Sequence, residues 1–196
     1  SLFDDSHEYL YDFVNRLQDF LEGKLKNENG EEYMFFCVSF PPRFGKSTAM
    51  QGATEWYLGN NPDRRVGFVS YSQELVNKFS RTIRDKLKEE ASKDSINLKN
   101  VFPHLVLSKN NKSVKRWSLE DKQQTVNTTS LRGAATGFGY DLMIIDDPIK
   151  GQEEALNEKR MDDVWDFLNG NFISRAEGKT LKFIIIQTRW GDSDPI

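Results

Sequence analysis

A lysine and a hydroxyl at the mouth of a helix, and two adjacent carboxylates at the end of a strand, are the residues of this chain best suited to chemistry. The first set lies in Phe40-Pro41-Pro42-Arg43-Phe44-Gly45-Lys46-Ser47-Thr48. An apolar run precedes it and a helical pattern follows it. A strand that turns tightly into a helix points backbone N–H groups and the positive end of the helix at one spot, which suits phosphate oxygens. Lys46 would add a positive charge to the β- and γ-phosphates of a nucleotide, and Ser47 would place its hydroxyl on Mg²⁺. The stretch resembles the phosphate-binding pattern G-x-x-x-x-G-K-[S/T] (Walker A), with Phe40 where the first glycine would stand. Pro42, Arg43, Phe44, Gly45, Lys46, Ser47 and Thr48 are its expected nucleotide contacts. Arg43 is an unusual cation in such a loop, and its guanidinium could stabilise charge on the γ-phosphate in the transition state.

The carboxylates close Tyr140-Asp141-Leu142-Met143-Ile144-Ile145-Asp146-Asp147. A buried parallel strand ending in an acid, set beside the phosphate-loop strand, has the logic of a Walker B motif, because open α/β sheets bind ligands at the carboxyl edge. Asp146 would hold Mg²⁺ through a water. Asp147 would polarise the attacking water, with Glu153 and Glu154 as alternatives. Between the motifs, Leu131-Arg132-Gly133-Ala134-Ala135-Thr136-Gly137-Phe138-Gly139 reads as a tightly turned loop. Arg132 is a second candidate finger, aimed into a neighbouring copy's site. Gln187 or Thr188, at the end of the last apolar run, would sense the γ-phosphate.

The elements that must position these residues follow from periodicity. Residues 6–25 carry Tyr9, Leu10, Phe13, Val14, Leu17, Phe20 and Leu21 at helical spacing. Residues 33–40 read as a buried strand, and a helix runs from about 45 to 58, stopped by Gly59-Asn60-Asn61-Pro62. A strand at 66–71 and a helix at 73–90 come next. Residues 91–130 read as short strands and loops. A strand at 142–145, a helix at 153–168 and a strand at 181–187 complete the pattern. Continuously apolar strands alternating with helices imply an α/β fold with a mainly parallel central sheet covered on both faces, in three layers. Residues 1–32 form an N-terminal helical segment and 33–196 the core.

Composition bounds the reading. The 196 residues are 37% hydrophobic and 29% charged, enough for one domain with a sizeable core. No apolar run approaches the roughly 20 residues that span a membrane. The start lacks Met and the features of a signal peptide, and reads as an interior start. The single cysteine, Cys37, forbids an internal disulfide, fits a reducing compartment and is expected in the core. His7 and His104 show no zinc-ligand spacing. A net charge of −3 argues against tight non-specific nucleic-acid binding, though a local patch is compatible with transient contact.

The motifs, taken in order, match a family. Pro41-Pro42-Arg43-Phe44-Gly45-Lys46-Ser47, Leu58-Gly59-Asn60-Asn61-Pro62-Asp63, Val69-Ser70-Tyr71-Ser72, Ala135-Thr136-Gly137-Phe138-Gly139, Ile145-Asp146-Asp147-Pro148-Ile149-Lys150 and Thr188-Arg189-Trp190 together resemble the large terminase subunits of tailed bacteriophages, over roughly residues 33–194. The resemblance implies a P-loop ATPase that uses ATP and Mg²⁺ to drive double-stranded DNA into a procapsid in the host-cell cytoplasm. It implies as partners a portal ring, a small terminase subunit and further copies of this chain in a ring, the isolated chain being monomeric. The family's C-terminal nuclease is expected to lie outside this chain, which stops just after Trp190. The family's adenine-contacting segment has no clean counterpart in residues 1–32, where Phe3, Tyr9 and Gln18 are the candidates.

Two other classes fit part of the pattern. A helicase-like ATPase would want stacking aromatics in a basic groove, and Lys112, Lys115, Arg116 and Trp117 form a small basic-aromatic cluster. A non-catalytic nucleotide-binding assembly module would fit the missing first glycine, but not the retained Lys46, Ser47, Asp146 and Asp147.

Overall fold

Alternating side-chain directions along four apolar strands determine how this chain layers. A computed structural model describes residues 8–39, 45–90, 97–110, 113–131, 139–151, 157–171 and 181–188. Its helices are α1 (Glu8–Leu21), α2 (Lys46–Asn60), α3 (Gln73–Lys86), the short α4 (Leu98–Val101) and α5 (Glu158–Asn171). Its strands are β1 (Phe35–Ser39), β2 (Val66–Ser70), β3 (Arg116–Trp117), β4 (Val126–Ser130), β5 (Leu142–Asp146) and β6 (Lys182–Gln187). They form one sheet in the order β1-β6-β5-β2-β4-β3, parallel throughout except for β3 against β4.

On one face Val66, Phe68, Val126, Leu142, Ile144, Ile184 and Ile186 join the apolar stripes of α1, α2 and α3 in one core. On the other, Val69, Met143, Ile145, Phe183 and Ile185 pack with Val164 and Phe167 of α5. This is the three-layer α/β arrangement that the alternation of strands and helices implies. Gly67 marks a close approach: a Cβ there would lie 2.7 Å from the end of the Met143 side chain on the neighbouring strand, which would have to shift. The end of α1 is fixed by a residue distant in sequence. The Lys182 ammonium donates to the carbonyls of Phe20 and Leu21, at 2.7 and 3.3 Å. A cation placed on the last carbonyls of a helix satisfies acceptors that have no partner within it.

Three expectations change. β1 is not a buried strand: Phe35, Cys37 and Ser39 are exposed, Phe36 and Val38 half-buried. Among the described residues β1 pairs with β6 alone, so its second edge receives no ladder. Cys37 is therefore exposed rather than in the core. The basic-aromatic cluster does not offer a stacking surface, because Trp117 is fully buried. Its indole Nε1 donates to Ser80 Oγ at 2.8 Å, and that hydroxyl donates to the carbonyl of Val114 at 2.8 Å.

β4 is the least apolar strand of the sheet and is nonetheless buried from Val126 to Thr129. Its polar side chains are satisfied by neighbours. Asn127 Nδ2 donates to the Tyr140 hydroxyl at 2.7 Å, and Thr128 Oγ1 donates to Asn77 Oδ1 on α3 at 2.9 Å. Replacing Ser80 by Ala should cost about 1–3 kcal/mol, since it leaves the buried Trp117 N–H without its acceptor. Urea unfolding should show this as a lower midpoint at an unchanged slope.

Candidate functional site

The carboxyl ends of β5 and β6 and the N-terminus of α2 meet at one edge of the sheet, and of the residues singled out from sequence Lys46, Asp146, Asp147 and Thr188 come together there. Gly45 precedes α2 in the left-handed conformation, φ +80° and ψ 5°, which glycine reaches without a Cβ penalty. That turn starts the helix with Lys46, while Ser47 and Thr48 stand exposed in its first turn. Four N–H groups at a helix start lack intrahelical acceptors, so the exposed first turn of α2 can receive an anion.

Lys46 does not extend into solvent. Its side chain is only 8% exposed. The ammonium donates to Thr188 Oγ1 at 2.9 Å and lies 3.6 Å from Asp147 Oδ1. The Thr188 N–H in turn donates to the same Asp147 oxygen, at 3.0 Å. Asp147 is held by its backbone as well. Its N–H donates to the carbonyl of Ile186 at 2.8 Å, and its own carbonyl accepts from the Tyr71 N–H at 3.3 Å. Its φ is +43°, a left-handed value that Asp tolerates better than most non-glycine residues. The other carboxylate oxygen of Asp147 engages no described residue.

Asp146 ends β5, in register with Ile186 of β6. Alternation along β5 sends it to the face that carries α2 and α3. Burial pushes its carboxyl up to about 6, the Asp147 charge adds to that, and Lys46 opposes it. Among the described residues, one ammonium stands beside two carboxylates, a balance that favours taking up a cation.

Of the two candidates at the end of β6, only Thr188 touches Lys46. Gln187 points to the opposite face, is 2% exposed, and both polar atoms of its amide lack a hydrogen-bond partner among the described residues. The strand order also corrects one expectation. β5 is not beside β1, because β6 lies between them. Lys46 therefore meets the strand that separates the two motifs, and so reaches Thr188 as well as Asp147.

Pro42, Arg43, Phe44, Arg132, Glu153, Glu154, Phe3, Lys112, Arg189 and Trp190 lie outside the described residues. Tyr9 is exposed on α1. Gln18 lines an apolar cleft of about 240 Å³ between α1 and α2, with Leu17, Ala53 and Trp56 among its walls. Among the described residues no group of three His, Cys, Asp or Glu side chains is placed to hold a metal, and no helix is long and apolar enough to cross a membrane.

A mainly parallel sheet flanked by helices, with a Gly-Lys-Ser turn opening α2 and a carboxylate pair at the sheet's carboxyl edge, defines a P-loop NTPase fold. Within that class the fold is similar to that of the HK97 bacteriophage large terminase, with a TM-score of 0.60 at 15% identity. The alignment covers 93% of this chain and 34% of that one, so this chain spans about a third of its length. The UvsW helicase from bacteriophage T4 aligns at a TM-score of 0.43 and 12% identity, over 86% of this chain and 50% of that one. No family model and no curated protein matches the sequence.

The raised Asp146 carboxyl has a consequence for stability. An acid whose folded-state value lies above its ordinary 3.8 binds its proton more tightly in the folded state. Stability then falls as pH rises from about 4 to about 6. Asp146→Asn removes that fall and should stabilise the fold at neutral pH by up to about 3 kcal/mol. Thermal melts in EDTA across pH 4 to 8 check this, with the wild-type melting temperature falling over the window and the variant's not.

Proposed function

We propose that this chain is the ATP-hydrolysing motor domain of a large terminase, driving double-stranded viral DNA into a procapsid. The observation that carries the reading is the convergence of Lys46, Asp146, Asp147 and Thr188 below an exposed helix N-terminus. The order of motifs and the terminase-like fold support it.

Lys46 binds the β- and γ-phosphates, and the first-turn N–H groups of α2 hold phosphate oxygens. The donor set also fits Mg²⁺, a hard ion bound by one or two carboxylates together with phosphate oxygens. Ser47 and Asp146 would hold it, and it would neutralise charge on the phosphates. Asp147 orients the attacking water, a role supported by the carboxylate oxygen that no described residue engages. Thr188 contacts the ammonium that must follow the phosphate, which suits it to report the state of the nucleotide. Arg43 within the loop and Arg132 from a neighbouring copy are the candidates for charge stabilisation in the transition state. Translocation of this kind takes double-stranded DNA, a portal ring, a small terminase subunit and a ring of copies as partners in the host-cell cytoplasm, the isolated chain being monomeric.

Phosphate release with ATP and Mg²⁺, followed across protein concentration, tests the reading. Lys46→Ala should lower turnover at least about a hundredfold, the charge contact being needed for transfer. A specific activity that rises with concentration, and a rise lost in Arg132→Ala, indicates a site completed by a neighbour. Loss confined to Arg43→Ala indicates a self-contained site. Nucleotide binding without phosphate release favours a non-catalytic assembly module instead.

A further inference from the structure

We propose that Asp147 competes with nucleotide phosphate for Lys46, so that nucleotide enters by displacing a built-in carboxylate. The inference rests on the nucleotide-binding reading of the site.

The contacts form a closed triangle: Lys46 to Thr188 at 2.9 Å, Lys46 to Asp147 at 3.6 Å, Thr188 N–H to Asp147 at 3.0 Å. An ammonium has three hydrogens and no other way to bind. Two of them face Thr188 and Asp147, so a nucleotide that draws on Lys46 through both its β- and γ-phosphates competes with these partners for the ammonium. Asp147 cannot simply drift aside. Its N–H is bonded to β6 through Ile186, and its carbonyl receives the Tyr71 N–H just beyond β2. The positive φ sets the direction of its Cα–Cβ bond. A carboxylate held in place against the ammonium is an anion in the position that suits a phosphate. Asp146 sits next to it and adds repulsion toward an incoming polyanion.

Displacement has a mechanical side. Lys46 bridges Asp147 Oδ1 at the end of β5 and Thr188 Oγ1 just beyond β6, so pulling it onto a phosphate removes one of the ties between the two strand ends. The strand end that carries Thr188 is then released when nucleotide arrives and recaptured when it leaves. Asp147 thus sets affinity as well as orienting water.

The test compares ATP binding by calorimetry, in EDTA, for the wild type, Asp147→Asn and Asp146→Asn. Asn keeps the acceptor for Thr188 and tolerates the left-handed backbone, and it removes only the charge that holds Lys46. Asp147→Asn should bind ATP about fivefold more tightly, the worth of a modest ion pair, and should gain more than Asp146→Asn. Its melting temperature without ATP should fall. An equal gain in both variants reduces the effect to bulk repulsion and overturns the proposal, as does unchanged or weaker binding in Asp147→Asn. Independently of any variant, ATP should speed hydrogen exchange at the wild-type Thr188 amide, and slower exchange there contradicts the release. If the wild type binds no ATP while folded, the nucleotide reading itself has failed, and the proposal with it.

Discussion

The position of one ammonium group constrains everything else at this site. Lys46 starts α2, and its side chain folds back over the sheet edge instead of reaching into water. Burying a lysine head is costly unless it is paired. Here it is paired with Thr188 and Asp147, residues about 140 and 100 positions away in the chain. That pairing requires β5 and β6 to end level with each other and α2 to begin directly over them. The parallel register, with Asp146 opposite Ile186 and Ser39 opposite Gln187, supplies the alignment.

The strand order turns this local pairing into a route through the protein. Because β6 lies between the phosphate-loop strand and the acidic strand, Thr188 sits where both motifs meet. Asp147 continues the chain of contacts to the end of β2 through the Tyr71 N–H. Three strand ends are therefore linked by contacts that lead to one lysine. Gln187 is buried on the opposite face, its amide without a partner among the described residues, an arrangement that carries an energetic cost.

Much of this was legible in the sequence where a single physical signal dominated. The apolar runs of β2, β5 and β6, buried on both faces, could hardly be anything else, and the Gly-Lys-Ser turn between an apolar run and a helix marked the start of α2. β4 was harder to recognise, because Val-Asn-Thr-Thr-Ser looks like a loop until Asn77, Tyr140 and α3 are in place to satisfy it. Cys37 and Trp117 went the other way for the same reason. Exposure of β1 goes with its having one strand neighbour among the described residues, and burial of Trp117 depends on Ser80 lying across from it. The pairing of Lys46 with Thr188 needed the strand order, which periodicity does not encode.

The central claim is that the first turn of α2 and the ends of β5 and β6 form one nucleotide site. Backbone amide shifts of the ¹⁵N-labelled chain, titrated with Mg²⁺ and a slowly hydrolysed ATP analogue, test it most directly. The account predicts the largest changes at Gly45, Lys46, Ser47 and Thr48, together with Asp146, Asp147 and Thr188. Saturable changes centred elsewhere, with these seven amides unmoved, would contradict it.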